Sequence, residues 1–191
     1  GSAATGELSR HVARDWGMPT APVAGGGGDN AAGAVGVGVT APGQAVLSLG
    51  TSGVLFVAGQ SFLPNPEQAV HAFCHALPDR WHQMTVMLSA ASCVDWAARL
   101  VGVRDAGALI ASAEAAQTLG GDEIFLPYLS GERTPHNDPR AKGVLFGVSH
   151  DTDRAAIGQA VLEGVAFAFA DGLDALVEAG AQVGAITVIG G

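Results

Sequence analysis

Charge is scarce in this chain of 191 residues, where only 14% are Asp, Glu, Lys or Arg and 48% are hydrophobic. Nine basic residues face eighteen acidic ones, a net charge of −9, and the basic ones do not cluster. A phosphate backbone or an anionic lipid surface would be repelled, which argues against nucleic-acid and membrane-surface binding. Cysteine is nearly absent: Cys74 and Cys93 are the only two, too few for a disulfide framework, and both are expected as free thiols in a cytoplasmic setting. Long hydrophobic runs are also lacking, because 28 glycines interrupt them, so no membrane helix is expected. Two loops are missing as well. No glycine-lysine-Ser/Thr triplet of a Walker A loop occurs, nor any G-x-S-x-G nucleophile elbow that would make Ser52, Ser130 or Cys93 a hydrolytic nucleophile.

What remains is an apolar chain too hydrophobic for disorder, of a length that suits one domain plus part of a neighbour at about 150 residues per domain. It starts GSAATGELSR, without Met, and stops at AITVIGG just after a strand-like run, and it reads as a piece of a longer protein. Strand and helix signals alternate, which places it in the α/β class. A helix is expected over 7–16, a strand over 20–24, and a helix of small residues after Asp29. Hairpins are expected over 45–58 and 70–87, helices over 89–101 and 106–116, and strands over 124–129, 143–148 and 186–189. Between the last two of these strands a helix runs from a cap at Thr152 to a stop at Gly180. Its apolar face carries Ile157, Val161, Val165, Ala168, Gly172 and Leu176; its polar face carries Glu163, Asp171, Asp174 and Glu178.

The stretch VAGGGGDNAAGAVG holds one charge, Asp29, and no other Asp, Glu, Lys or Arg occurs between Asp15 and Glu67. The spacing Gly26-x-Gly28-x-x-Ala31 fits a dinucleotide fingerprint loosely, but that motif needs a ribose-binding acid about 20 residues on. The next acid is Glu67. Two readings of Asp29 compete. It sits where a helix N-cap belongs, a frequent job for Asp. Alternatively, an acid without a neighbouring countercharge, flanked by glycines that admit a ligand, can take the proton of a bound hydroxyl, and a weak base is enough in phosphoryl transfer. The turn Gly50-Thr51-Ser52-Gly53 is either an ordinary hairpin turn or a backbone cradle for a phosphate.

Two further groups are weighed on geometry. His71, Cys74, His75 and His82 suggest zinc by type, but on a strand His71 and His75 point away from Cys74, so no convergent ligand set forms. The loop 130–143, with Glu132, Arg133, His136, Asn137, Asp138, Arg140 and Lys142, is either a solvated surface or a cleft lining.

Together GGGDNAAGAVGVG, LSLGTSG, HAFCHALPDRWHQMTVMLSAASCVDWAA, FLPYLSGERTPHNDPRAKG and GVLFGVSHDTDRAAIGQAVLEGVAFAFADG resemble the FGGY family of carbohydrate kinases. The resemblance covers the chain from about Trp16 onward and implies an actin-like, ribonuclease H-like lobe with a mixed sheet and helices on both faces. It implies residues 1–39 as the tail of an N-terminal lobe with an interlobe helix, and 40–191 as a truncated C-terminal nucleotide-binding lobe. It implies Asp29 as catalytic base and sugar contact, Asn30 as a sugar contact, and ATP with Mg2+ as cofactors. Gly50, Thr51, Ser52, Gly53, Ala91, Asp95, Gly190 and Gly191 fall at nucleotide positions. The partners implied are sugar and ATP, with room for a homodimer. The chain departs from the family in lacking the first phosphate loop, D-x-G-T-x-S, so the piece alone is expected to be inactive. A ketopentose is the expected acceptor; ribulose, rhamnulose, gluconate and glycerol remain alternatives, as does a non-catalytic actin-like nucleotide switch.

Overall fold

In chain order the computed structural model, which describes residues 1, 3–116 and 121–190, runs β1 (Ala4–Glu7), α1 (Arg10–Asp15), β2 (Pro22–Ala24), α2 (Asp29–Gly36), β3 (Ala45–Leu49) and β4 (Gly53–Gly59). It continues β5 (His71–Cys74), β6 (Trp81–Met87), α3 (Ala91–Leu100), α4 (Ala106–Ala116), β7 (Ile124–Leu126), β8 (Val144–Phe146), α5 (Arg154–Glu178) and β9 (Ile186–Gly190). The main sheet has the order β5-β6-β4-β3-β9, antiparallel throughout except for the parallel pair β3–β9. Two small antiparallel pairs, β1–β2 and β7–β8, stand outside it.

The period of two along the strands sorts the sheet into two apolar faces. Ala45, Leu55, Val57 and Met87 face α3 and α5, where they meet Cys93, Ala97, Val161, Val165, Phe169 and Leu176. Val46, Phe56 and Ala58 face the other way, onto Ala31, Ala34 and Val39 of α2 and the turn after it. Helices therefore cover both faces of a mixed sheet, the α/β arrangement read from the chain. Small side chains let α2 lie close: Ala31 and Ala34 are buried against the sheet, while Gly33 and Gly36 face open space.

Most expected elements form, with shorter ends. The helix expected over 7–16 starts only at Arg10, because Ala4–Glu7 pairs with Pro22–Ala24 and Leu8 N–H donates to the Ala21 carbonyl at 2.9 Å. Strand pairing here overrides local helix propensity. The long helix α5 buries Val161, Val165, Ala168, Gly172 and Leu176 and exposes Asp171, Asp174 and Glu178, as its pattern predicts. Its cap is Asp153 rather than Thr152: Asp153 Oδ1 accepts from Ala155 N–H at 2.9 Å and from Ala156 N–H at 3.0 Å. Thr152 instead accepts from Ser149 N–H and donates to Glu123, a task its extra-helical position favours. Gly180 ends the helix with φ +90, the left-handed conformation that favours glycine. Cys74 is exposed, Cys93 is buried, and both are free. Among the described residues no helix is long and apolar enough to cross a membrane.

Candidate active site

Asp29 is the first residue of α2, and Gly28 holds the cap position, without a side-chain cap bond. The capping reading of Asp29 therefore fails. Its Oδ1 accepts from the Asn30 N–H at 2.8 Å, with Asn30 Nδ2 at 3.4 Å, and no basic side chain pairs with it among the described residues. A carboxylate in the first turn is favoured by the positive end of the helix dipole, which leaves it stable without a countercharge. The glycines before it allow a close approach: a Cβ at Gly27 would lie 2.7 Å from the Cβ of Ala76, so the loop rests directly on the β5–β6 hairpin.

Two cavities open on either side of this carboxylate. One of about 180 Å³ lies toward the hairpin tip and is lined by Asp29, Asn30, Ser48, Val54, Phe56 and Ile189, among others. Another of about 470 Å³ lies toward β5 and β6 and is lined by Asp29, Asn30, Phe73, Cys74, His82 and Met84, among others. Asp29 is the only acid in either lining.

At the tip of the β3–β4 hairpin the main chain folds back, with the Gly50 N–H donating to the Ser52 carbonyl at 3.1 Å. The N-terminus of α3 caps itself on this turn. Ala91 N–H donates to the Gly50 carbonyl and Ala90 N–H to the Thr51 carbonyl, both at 3.0 Å, and Ser92 Oγ donates to the Thr51 carbonyl at 2.8 Å. The turn's carbonyls are thereby occupied, whereas the N–H groups of Thr51 and Ser52 make no hydrogen bond among the described residues. Thr51 and Ser52 are exposed. That leaves donors outward and acceptors inward, the polarity an anion requires.

Gly190 lies beside this turn. It pairs with Leu49 in the parallel ladder at φ +135, and a Cβ there would strike the Leu49 carbonyl oxygen. The structure thus gathers Gly50, Thr51, Ser52, Gly53, Ala91 and Gly190 at one end of the sheet. Asp29 and Asn30 reach the same end through Ser48, Val54 and Ile189, the immediate neighbours of the turn and of Gly190. Asp95, one turn along α3, is exposed and borders neither cavity; Gly191 lies outside the described residues.

The histidines of β5 and β6 form no metal site: among the described residues no group of three or more His, Cys, Asp or Glu is placed to hold an ion. His82 stacks on Phe56, ring centroids 4.4 Å apart, and stands 6.1 Å from the ring of His75. Burial, aided by the neighbouring His75, pulls the His82 imidazole down to about 4, while the Cys74 main chain opposes this without closing a hydrogen bond to Nδ1. His75 is lowered by burial too, and then by Arg80, against a raising influence of the Val39 main chain. Cys93 is no nucleophile, since burial and the nearby Glu132 push its thiol up to about 12.

The loop 130–143 divides between its two expected roles. Glu132, 2% exposed, and Thr134 are buried under the sheet end: Glu132 Oε1 accepts from Leu88 N–H at 3.0 Å and Arg133 N–H at 2.7 Å, and Thr134 Oγ1 accepts from Val86 N–H at 3.2 Å. Arg133, His136, Asn137, Arg140 and Lys142 are exposed, and none lines the two cavities. Reading residues by type missed Ser48, Val54, Phe73, His82, Met84 and Ile189 as lining. Strand alternation carried the signal, since Val54, Phe56 and Ala58 share a face and Met84 and His82 lie across from Phe56 and Ala58 in register.

Residues 45–191 match the C-terminal domain model of the FGGY family of carbohydrate kinases. Over all 191 residues the chain is 59% identical to a xylulose kinase of Klebsiella pneumoniae and 58% identical to one of Escherichia coli strain K12. In each case it spans 40% of the relative's length. The fold superimposes on the crystal structure of a xyloylose kinase from Brucella ovis with a TM-score of 0.90 at 52% identity, covering all of this chain and 40% of that one.

Proposed function

Because this chain belongs to the FGGY family of carbohydrate kinases, we propose that the whole protein carrying it transfers the γ-phosphoryl group of ATP to a ketopentose, D-xylulose, giving D-xylulose 5-phosphate and ADP. We assign residues 1–39 to the end of an N-terminal lobe and an interlobe helix, and 40–191 to the nucleotide-binding lobe. The observation that carries the reading is a single carboxylate close to an exposed backbone cradle: Asp29 borders a cavity lined also by Ser48, Val54 and Ile189, the strand residues that lead into the 50–53 turn and Gly190. In the reaction the sugar hydroxyl oxygen bonds to the γ-phosphorus as the bridging P–O bond to ADP breaks, and the hydroxyl proton passes to the Asp29 carboxylate. Asn30 orients that hydroxyl. The free N–H groups of Thr51 and Ser52 hold the phosphates. Gly190, which the ladder to Leu49 requires to lack a side chain, borders the same end of the sheet.

Mg2+, when bound, neutralises charge on the transferring phosphoryl group. Asp29 is the one carboxylate at the cavities, so the residues here suit a metal brought in on the nucleotide's oxygens rather than one held by the protein alone. A cytoplasmic setting and a homodimer are part of the same reading, the latter to be read from the mass of the intact protein in solution.

The test is a phosphate-transfer screen of the intact protein with D-xylulose beside ribulose, rhamnulose, gluconate and glycerol. Fastest transfer to D-xylulose supports the reading; transfer to another of these reassigns the sugar, and ATP binding without any phosphosugar product sinks the kinase reading in favour of a nucleotide switch. The isolated chain should give no sugar-dependent ADP release, and turnover from it would refute the need for a second lobe.

A further inference from the structure

We infer that Ser92 is a positioning residue for the phosphate cradle: its hydroxyl pins the Thr51 carbonyl inward and thereby keeps the N–H of Ser52 turned toward the nucleotide. The inference rests on the kinase reading above and deepens it, naming what sets the 50–53 turn for an anion. Ser92 Oγ donates to the Thr51 carbonyl at 2.8 Å, from 41 residues further along the chain. The same carbonyl accepts from Ala90 N–H at 3.0 Å and from Ser92 N–H at 3.5 Å. A serine beside a helix start commonly caps that helix. Here α3 has no side-chain cap bond, and the Ser92 hydroxyl goes to the turn instead.

The link from carbonyl to N–H is the peptide plane. In a trans peptide the C=O and the N–H that follows it point in opposite directions, and the peptides on either side of Thr51 are trans. Holding the Gly50 carbonyl on Ala91 N–H therefore aims the Thr51 N–H away from α3, and holding the Thr51 carbonyl on Ser92 aims the Ser52 N–H the same way. Neither N–H has a partner among the described residues, and both residues are exposed. The anchor is firm: Cys93 and Ala97 of α3 are fully buried, and the turn carbonyls are what satisfy the first N–H groups of the helix. The turn itself is not firm. Gly50 and Gly53 bound it, and glycine lets neighbouring peptides rotate at little steric cost. Rotation of the Thr51–Ser52 peptide would present a carbonyl oxygen where a phosphate needs a donor, turning attraction into repulsion. Of the donors on the Thr51 carbonyl, Ser92 Oγ stands nearest and is the only one from a side chain.

The test uses the intact protein with the variants Ser92→Ala and Ser92→Thr, calorimetric Kd values for ATP and for adenosine, and initial rates at varied ATP and varied sugar. Ser92→Ala should weaken ATP binding about fivefold and raise the KM for ATP alike, the effect of one lost hydrogen bond. Adenosine carries no phosphate, so its Kd should stay within about twofold of wild type, as should the KM for the sugar. Ser92→Thr keeps the hydroxyl and should restore most of the ATP affinity. Unchanged ATP affinity in Ser92→Ala, or a Thr variant as weak as the Ala variant, overturns the assignment and leaves the kinase reading standing. Equal losses for ATP and adenosine mean a general loosening of α3 and overturn it too. A wild-type protein that binds ATP but phosphorylates no sugar sinks the kinase reading alone, and the ratio of ATP to adenosine affinity still decides the role of Ser92.

Discussion

Gly53 lies directly against the ring of Phe169: a Cβ built at this glycine would collide with the ring edge and stand 3.2 Å from the Cβ of Ala90. One position thus joins the base of the hairpin turn to α5 and to the entry of α3. Its lack of a side chain is a packing requirement whatever the turn binds. Gly53→Ala should destabilise the intact protein by about 1–3 kcal/mol through overpacking, and Phe169→Leu should recover part of that loss. Denaturant titrations of the two single variants and the double variant check it; additive losses would mean that the two residues do not press on each other.

Asp29→Asn keeps the size of the side chain and its bond to the Asn30 N–H while removing the carboxylate that the proposed reaction uses as base. In the intact protein kcat should fall by about 10²–10⁴-fold, with the KM for ATP little changed. A rate within a few-fold of wild type would reduce Asp29 to a structural residue.

Glu132 is held by two backbone donors, and its Oε2 has no partner. Burial raises its pKa, opposed by the bonds from Arg133 and Leu88 and by His136. Glu132→Leu strands both N–H groups, at about 1–3 kcal/mol for each buried donor left unpaired, and should be strongly destabilising. Glu132→Gln keeps the acceptor and removes a costly charge, so it should be near neutral or stabilising at pH 7. Urea unfolding of both variants decides; a Gln variant as unstable as the Leu variant would show that the charge itself is needed.

Acid should act through His82. The unfolded chain takes up a proton below the ordinary value of 6.5, while the folded protein resists it until about pH 4. The stability tied to this site is therefore full above pH 6.5 and is lost progressively as pH falls toward 4, by at most about 3 kcal/mol at roughly 1.4 kcal/mol per unit. Melting curves between pH 7.5 and 4.5 should decline, and less steeply for His82→Phe. Parallel declines would assign the effect to other groups.

Much of this was legible along the chain. The hairpins over 45–58 and 70–87 announce themselves through alternation broken by Gly50, Gly53 and Pro78, because strand faces and turn conformations are local properties. The solitary Asp29 and the glycine-bounded turn stand out for the same reason. Glu7 in a strand, Asp153 as the cap and Glu132 under the sheet end were not legible, since each depends on a partner far away in sequence or on a choice between adjacent competent residues. The second cavity was hidden likewise: Phe73, His82 and Met84 look like ordinary strand residues until the β5–β6 ladder and the start of α2 are brought together.

The single parallel ladder has a consequence for how this molecule comes to order. Ala45 waits for Ile186, about 140 residues away, before β3 gains its second neighbour, while β4 and β6 can pair through short connections. Entropy of closure grows with the length of chain enclosed, so the β3–β9 ladder should be the last to settle and the first to breathe. Amide protons of β9 should then exchange with solvent sooner than those of β4, making the β3–β9 ladder the soft seam of an otherwise firm sheet.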